Sequence, residues 1–184
     1  MIRILFEAHA TSYDNEAALS SGHNDVALSP LGLEQAAGLG KRLAPVPVTA
    51  VYCSDLQRSY LTGEIAFKER HIPVFRDSRL RECDYGDLTQ APADKVKALR
   101  ANHVDIPFPH GESYTQTCLR MKSFLDELAV TYKSADTIVI IGHRATQYGL
   151  EHWLKNVPVL EAVMAPWTWQ PGWFYDIAPA TPVT

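Results

Sequence analysis

The run Thr137-Ile138-Val139-Ile140-Ile141 constrains the fold of this chain more than any other stretch. Every one of its residues is β-branched, which favours a strand. No polar residue alternates with the apolar ones, so the strand is expected to be buried on both faces, as at the centre of a parallel sheet. Parallel neighbours need crossover connections, usually helices. Ile2 to Phe6, Thr49 to Cys53 and Ile72 to Phe75 read as further short strands, and Trp173 to Ile177 as a last edge strand. Between them, Ser29 as N-cap and Pro30 at the first helical position start a helix that Pro45 and Pro47 stop. Ser54 or Asp55 is expected to cap a helix reaching about Phe67. Further helices are predicted from Pro92 to Ala101, from Gly111 to about Tyr132, and from the residues after His143 to about Leu154. Ala10 to Ser29 reads as a loop, and the tail from Pro158 as aromatic and proline-rich. Strands alternating with helices predict a three-layer α/β/α sandwich around a mainly parallel sheet, with residues 1–184 forming one domain.

Composition narrows the partners. A net charge of -4 speaks against a nucleic-acid or anionic-membrane binder, whose footprint would be basic. Cys53, Cys83 and Cys118 are odd in number and widely spaced, so neither a disulfide framework nor a cysteine-rich metal site is expected. Reduced thiols and a cytoplasmic location follow as the expectation, with no signal peptide and no apolar stretch long enough for a membrane span. The tryptophans of the tail (Trp167, Trp169, Trp173) offer a contact surface for a homodimer.

Chemistry-bearing residues gather at strand ends. His9 closes the first strand, followed by Thr11 and Asn15. Arg58 follows the second strand, in the first turn of its helix, where a cation is unfavourable for the helix dipole unless an anion shares that helix end. His143 closes the central strand, with Arg144 next to it. In a parallel sheet these ends share one edge, where ligands bind. Two histidines, an arginine and helix N-termini make an anion pocket suited to phosphate. Histidine is a nucleophile toward phosphorus, and a carboxylic acid such as Glu82 can protonate the leaving oxygen. The other histidines (His23, His71, His103, His110, His152) lack metal-ligand spacing and read as surface or loop residues.

These motifs resemble the histidine phosphatase superfamily, in its phosphoglycerate-mutase-like branch, from Ile2 to about Leu154. The family's Arg-His-Gly corresponds to Ala8-His9-Ala10, with Thr11 and Asn15 behind it. Its Ser-x-x-x-Arg-x-x-x-Thr pattern corresponds to Ser54, Arg58 and Thr62, and its Leu-x-Glu to Leu80-Arg81-Glu82. Gly111-Glu112-Ser113 opens the long helix, and Gly142-His143 supplies the second histidine. The resemblance implies that His9 accepts the phosphoryl group and His143 stabilises its charge. It implies that Arg58, Asn15 and Thr11 bind phosphate oxygens, that Glu82 is general acid and then base, and that no metal or organic cofactor is required. The departure is Ala8, where the family has a phosphate-binding arginine. Arg144 is expected to reach back into that place, steadied by Glu7.

The expected activity is hydrolysis of a small phosphorylated metabolite through a phosphohistidine. A catalytically silent phospho-ligand-binding relative is the alternative that Ala8 favours. A phosphoglycerate-type mutase is disfavoured, because mutases resembling the family carry longer insertions than 184 residues allow. Specificity is expected to reside in the loop from about Tyr85 to Pro109 and in the aromatic tail.

Overall fold

A computed structural model of the chain describes residues 1–180, so the last residues of the expected 1–184 unit lie outside the described residues. Its centre is the β-branched run, as strand β4 in a five-stranded sheet. The strands are β1 (Ile2–Ala8), β2 (Ala50–Cys53), β3 (Val74–Arg76), β4 (Thr137–Gly142) and β5 (Trp173–Ile177), ordered β3-β2-β4-β1-β5. Pairs β1·β4, β2·β4 and β2·β3 are parallel, and β5 joins β1 antiparallel at the edge. Every residue of β4 is buried.

The two sheet faces are covered by different helices. Leu5, Val51, Val139 and Ile141 pack with Leu39 and Leu43 of α2 (Pro30–Leu43) and with Ala66 and Phe67 of α3 (Gln57–Phe67). Ile4, Phe6, Ile138 and Ile140 pack with Met121, Phe124, Leu125 and Leu128 of α5 (Tyr114–Thr131) and Leu150 of α6 (Arg144–Lys155). The alternation along β1 and β4 is the two-residue period of a strand, here apolar on both sides. In α2, Ala36, Leu39 and Leu43 are buried at the spacing of one helical face. The same helix passes α3 so closely that a Cβ on Gly40 would collide with the Ala66 carbonyl.

Three local readings are corrected. The expected loop from Ala10 to Ser29 contains a one-turn helix, α1 (Tyr13–Glu16), closed by a reciprocal cap between Ser12 and Asn15. A single turn is too short to show helical periodicity. The tail after Pro158 contains α7 (Val159–Met164), with proline just before the first turn, where its missing N–H costs nothing. At the start of α3, neither Ser54 nor Asp55 is the cap. The N-cap position is Leu56, and the Gln57 N–H donates to Asp25 Oδ1 at 2.7 Å from a distant loop. Ser54 and Asp55 are committed elsewhere, to His143 and Arg81. The predicted helix near Pro92 is α4 (Ala93–Leu99), continued by a 3-10 turn, Arg100–His103.

One charge lies deep beside the sheet. Glu7 is 2% exposed, and Arg42 of α2 donates to both its carboxylate oxygens at 2.8 and 2.9 Å. The expected support of Arg144 by Glu7 is therefore not formed, because a nearer guanidinium on the α2 face takes both oxygens. Removing one partner of such a pair leaves an uncompensated buried charge. Arg42→Gln is expected to destabilise the protein by about 2–3 kcal/mol, less than for a fully buried pair because Arg42 is partly solvated. Glu7→Gln combined with Arg42→Gln should recover part of that loss. Urea unfolding of the two variants checks this, and a double variant no more stable than the single one would refute it.

Candidate active site

Strands β1, β2 and β4 end on the same edge of the sheet, and a cleft of about 1030 Å³ opens there. His9, Thr11, Asn15, Glu82, His143 and Arg144 all line it. The register brings the two histidines together. Ala8 is paired with Gly142, and the His9 N–H donates to the Gly142 carbonyl at 3.0 Å. The imidazole rings stand 5.0 Å apart between centroids.

His9 is half-buried, and its Nδ1 lies 2.7 Å from the Ala10 carbonyl. A carbonyl only accepts, so Nδ1 carries the proton and Nε2 keeps its lone pair. Burial, then the Arg58 charge, lowers the His9 pKa from 6.5 to about 3, so the ring is neutral at neutral pH. His143 is buried and is driven well below 6.5 by burial, then by Arg58 and His9. Its Nε2 lies 2.7 Å from the Ser54 hydroxyl, and its Nδ1 is buried with no hydrogen-bond partner. Ser54 thus does the work expected of a cap on a different element: it orients the second histidine.

Arg58 is 1% exposed. Its terminal nitrogens donate to the Asn24 carbonyl at 2.8 Å and the Gly22 carbonyl at 2.7 Å, which ties the 18–28 loop over the site. Each of those nitrogens bears a second N–H, which leaves donors for another acceptor. Thr62, one turn along α3, accepts from the Ala10 N–H at 3.0 Å and locks the turn after His9. Asn15 is exposed at the cleft, with its Oδ1 engaged by Ser12. The Thr11 N–H donates to Gln35 of α2.

Glu82 sits at the N-terminus of α6. Its Oε1 accepts from the Cys83 N–H at 2.8 Å and the Ala145 N–H at 3.2 Å, which anchors the carboxylate beside His143. The Glu82 loop is bolted to the scaffold from two sides. Thr146 accepts from the His143 N–H and donates to the Leu80 carbonyl at 2.8 Å. Gly142 permits that approach, since a Cβ there would press on the Thr146 hydroxyl and methyl. Arg120 of α5 donates to the carbonyls of Arg79, Arg81 and Glu82, and its own charge meets Glu112 at 2.9 and 3.0 Å. His23, read as a surface residue, lies instead with Nε2 2.8 Å from the Glu82 carbonyl.

Arg120, Glu112 as its partner, Ser54 as a histidine partner, and His23 are brought to the site by the fold, with no local pattern to mark these contacts. The only available signal was the Gly-Glu-Ser motif, which marks Glu112 without saying what its carboxylate holds. Arg144 faces α7. It donates to Gln147 Oε1 at 2.6 Å and to the Ala165 carbonyl at 3.2 Å, and it lies over the Tyr148 ring. Among the described residues, no group of three or more His, Cys, Asp or Glu side chains has a metal-holding arrangement, and no helix is long and apolar enough to cross a membrane. The three cysteines are free and buried, and burial raises their pKa values.

Known proteins share this architecture. A probable phosphoglycerate mutase, GpmB, of Erwinia tasmaniensis is 32% identical over 134 residues, which are 68% of this chain and 62% of that protein. Phosphoserine phosphatase 1 of Hydrogenobacter thermophilus is 27% identical over 152 residues, 78% of this chain and 71% of that protein. The chain thus spans less than two thirds of the mutase it matches. Among solved structures, Bacillus stearothermophilus YhfR superposes with a TM-score of 0.81 at 24% identity, over 96% of this chain and 92% of its own. The mycobacterial glucosyl-3-phosphoglycerate phosphatase complexed with VO3 gives 0.81 at 22% identity, over 98% and 100%. At such identities the structures speak for the fold alone. The family model of the histidine phosphatase superfamily (branch 1) matches residues 4–164, a span that holds His9, Arg58, Glu82 and His143, and this chain belongs to that superfamily.

Proposed function

We propose that the protein hydrolyses a small phosphomonoester through a phosphohistidine on His9. The observation that carries this reading is the tautomer of His9: its proton is given to the Ala10 carbonyl, so an unprotonated Nε2 stands in the cleft beside His143. Membership of a superfamily with phosphatase-named members supports it.

In the proposed cycle, His9 Nε2 attacks phosphorus while the bond to the leaving oxygen breaks. Glu82 gives that oxygen its proton. The carboxylate then takes a proton from water, the water oxygen attacks phosphorus, and the N–P bond breaks to release inorganic phosphate. Charge on the transferring group meets Arg58, with Asn15 and Thr11 as neutral partners, and positioning of this kind supplies most of the catalysis in phosphoryl transfer. Arg144, which lines the same cleft, contributes to substrate binding. Ala8 favours a second reading, a phospho-ligand-binding relative without turnover.

Turnover separates the two readings. Wild-type protein should hydrolyse p-nitrophenyl phosphate, and His9→Ala should abolish it. Glu82→Gln should lower kcat/KM by about 10²–10⁴-fold for an alkyl phosphate, and by less for the nitrophenyl ester, whose leaving group needs no proton. Equal and negligible rates for wild type and His9→Ala, repeated across a panel of phosphorylated metabolites that removes a narrow substrate range as the cause, would decide for the silent relative.

The neutral histidines also set a pH dependence of stability. Their folded pKa values lie below the unfolded 6.5, so the unfolded chain takes up protons first as pH falls. Stability should therefore drop as pH falls from about 6.5 toward about 3, by up to about 1.4 kcal/mol per pH unit for each histidine. Urea unfolding of wild type and of His9→Asn across that window checks this. The variant should show the shallower slope, and identical slopes would overturn the assignment.

A further inference from the structure

The cleft carries three cations that no bond-making or bond-breaking step of the proposed cycle uses. Arg100 opens the 3-10 turn after α4, Lys97 lies one turn earlier, and Arg144 is the first residue of α6; all three line the cleft. The two guanidiniums are gathered at one place. Arg100 Nη2 donates to the Met164 carbonyl at 3.3 Å, and Arg144 Nη2 to the Ala165 carbonyl at 3.2 Å, and these are consecutive residues at the end of α7. Tyr148 lies beside both. Burial raises its pKa, and the Arg144 charge, then that of Arg100, pulls the other way.

What the pair lacks is a counter-charge. Arg42, Arg76, Arg79, Arg81 and Arg120 each meet a carboxylate within 4.0 Å. Among the described residues, Arg100, Arg144 and Lys97 meet none, and Arg100 Nε is buried with no hydrogen-bond partner. Carbonyl oxygens carry only partial charge, so two guanidiniums held at adjacent carbonyls inside a cleft repel each other unless an anion joins them. Arginine's planar fork suits a carboxylate or a phosphate. The cleft, at about 1030 Å³, has room for a second group beside the phosphoryl.

We propose that the substrate bears a second anionic group, a carboxylate or another phosphate, held by Arg100 and Arg144 with Lys97 at the edge. The assignment rests on the phosphatase reading for where the first phosphate sits. It also gives Arg144 a different task from the one its position beside His143 suggests: binding the far end of the substrate instead of replacing the arginine lost at Ala8.

Calorimetric titration of the whole protein with matched pairs tests it. Glycerate 3-phosphate and glycerol 3-phosphate differ in a carboxylate against a hydroxymethyl group, and fructose 1,6-bisphosphate and fructose 6-phosphate differ in a second phosphate. In one pair the more anionic member should bind roughly 10- to 100-fold tighter, the range expected of charge-assisted contacts, and the pair that responds identifies the anion. Arg100→Gln and, separately, Arg144→Gln should shrink that ratio to within about threefold, and Arg100→Lys should keep part of it. Equal affinities within both pairs, no measurable binding of any of the four, or a ratio untouched by both Gln variants would overturn the proposal. Turnover of p-nitrophenyl phosphate, followed alongside, keeps the two readings apart. A preference without turnover counts against the phosphatase alone, and turnover without a preference counts against the second anion site alone.

Discussion

The parallel register of β1 on β4 is the constraint on which the rest depends. Pairing Ala8 with Gly142 sets the last residues of two strands level, so the residues that follow, His9 and His143, emerge side by side. Side chains alternate faces along a strand, so a slip of one residue would send one imidazole away from the cleft and turn Leu5, Phe6 and Glu7 inside out. The core favours this register: the apolar residues of β1 and β4 pack on both faces of the sheet. The energy that holds the fold thus also holds the spacing of the reactive pair.

Around that pair, the site is built from groups whose hydrogen bonds are spent on holding shape. Ser54 holds His143, Thr146 ties His143 to the Leu80 carbonyl, and Arg120 grips three successive stations of the Glu82 loop. Arg58 performs two tasks from one position. Its N–H groups fasten the Gly22–Asn24 loop, and its charge adds to the burial that keeps both imidazoles neutral. A buried cation thus stands beside two neutral bases, its desolvation offset by backbone carbonyls. Glu7, one residue before Ala8, is fully engaged with Arg42.

The cleft's outer wall follows a different logic. It comes from α4, the Arg100 turn, α7 and the tryptophan strap, with Trp167 and Trp169 46% and 59% exposed at its rim. A separate apolar cluster of Val96, Phe108, Tyr114, Tyr148 and Val163 supports this wall apart from the sheet. This wall is thereby built from elements that can vary without disturbing the strand register.

Much of this was legible from the residues. The β-branched run predicted the central strand, Ser29 and Pro30 marked the start of α2, and strand ends carrying His9, Arg58 and His143 implied a shared edge. Local chemistry determines such features, because periodicity, caps and strand propensity act over a few residues. What lay beyond reach involved partners far apart in sequence: Glu7 with Arg42, Ser54 with His143, Arg120 with the carbonyls of the Glu82 loop, and Arg100 beside Arg144 at the end of a helix the proline-rich tail concealed. The sequence by itself determined which side chains were available and which strands would carry them. Tertiary structure alone decided which guanidinium met which anion, because a long charged side chain reaches several partners, and only packing settles which one is near and which is left facing the cleft.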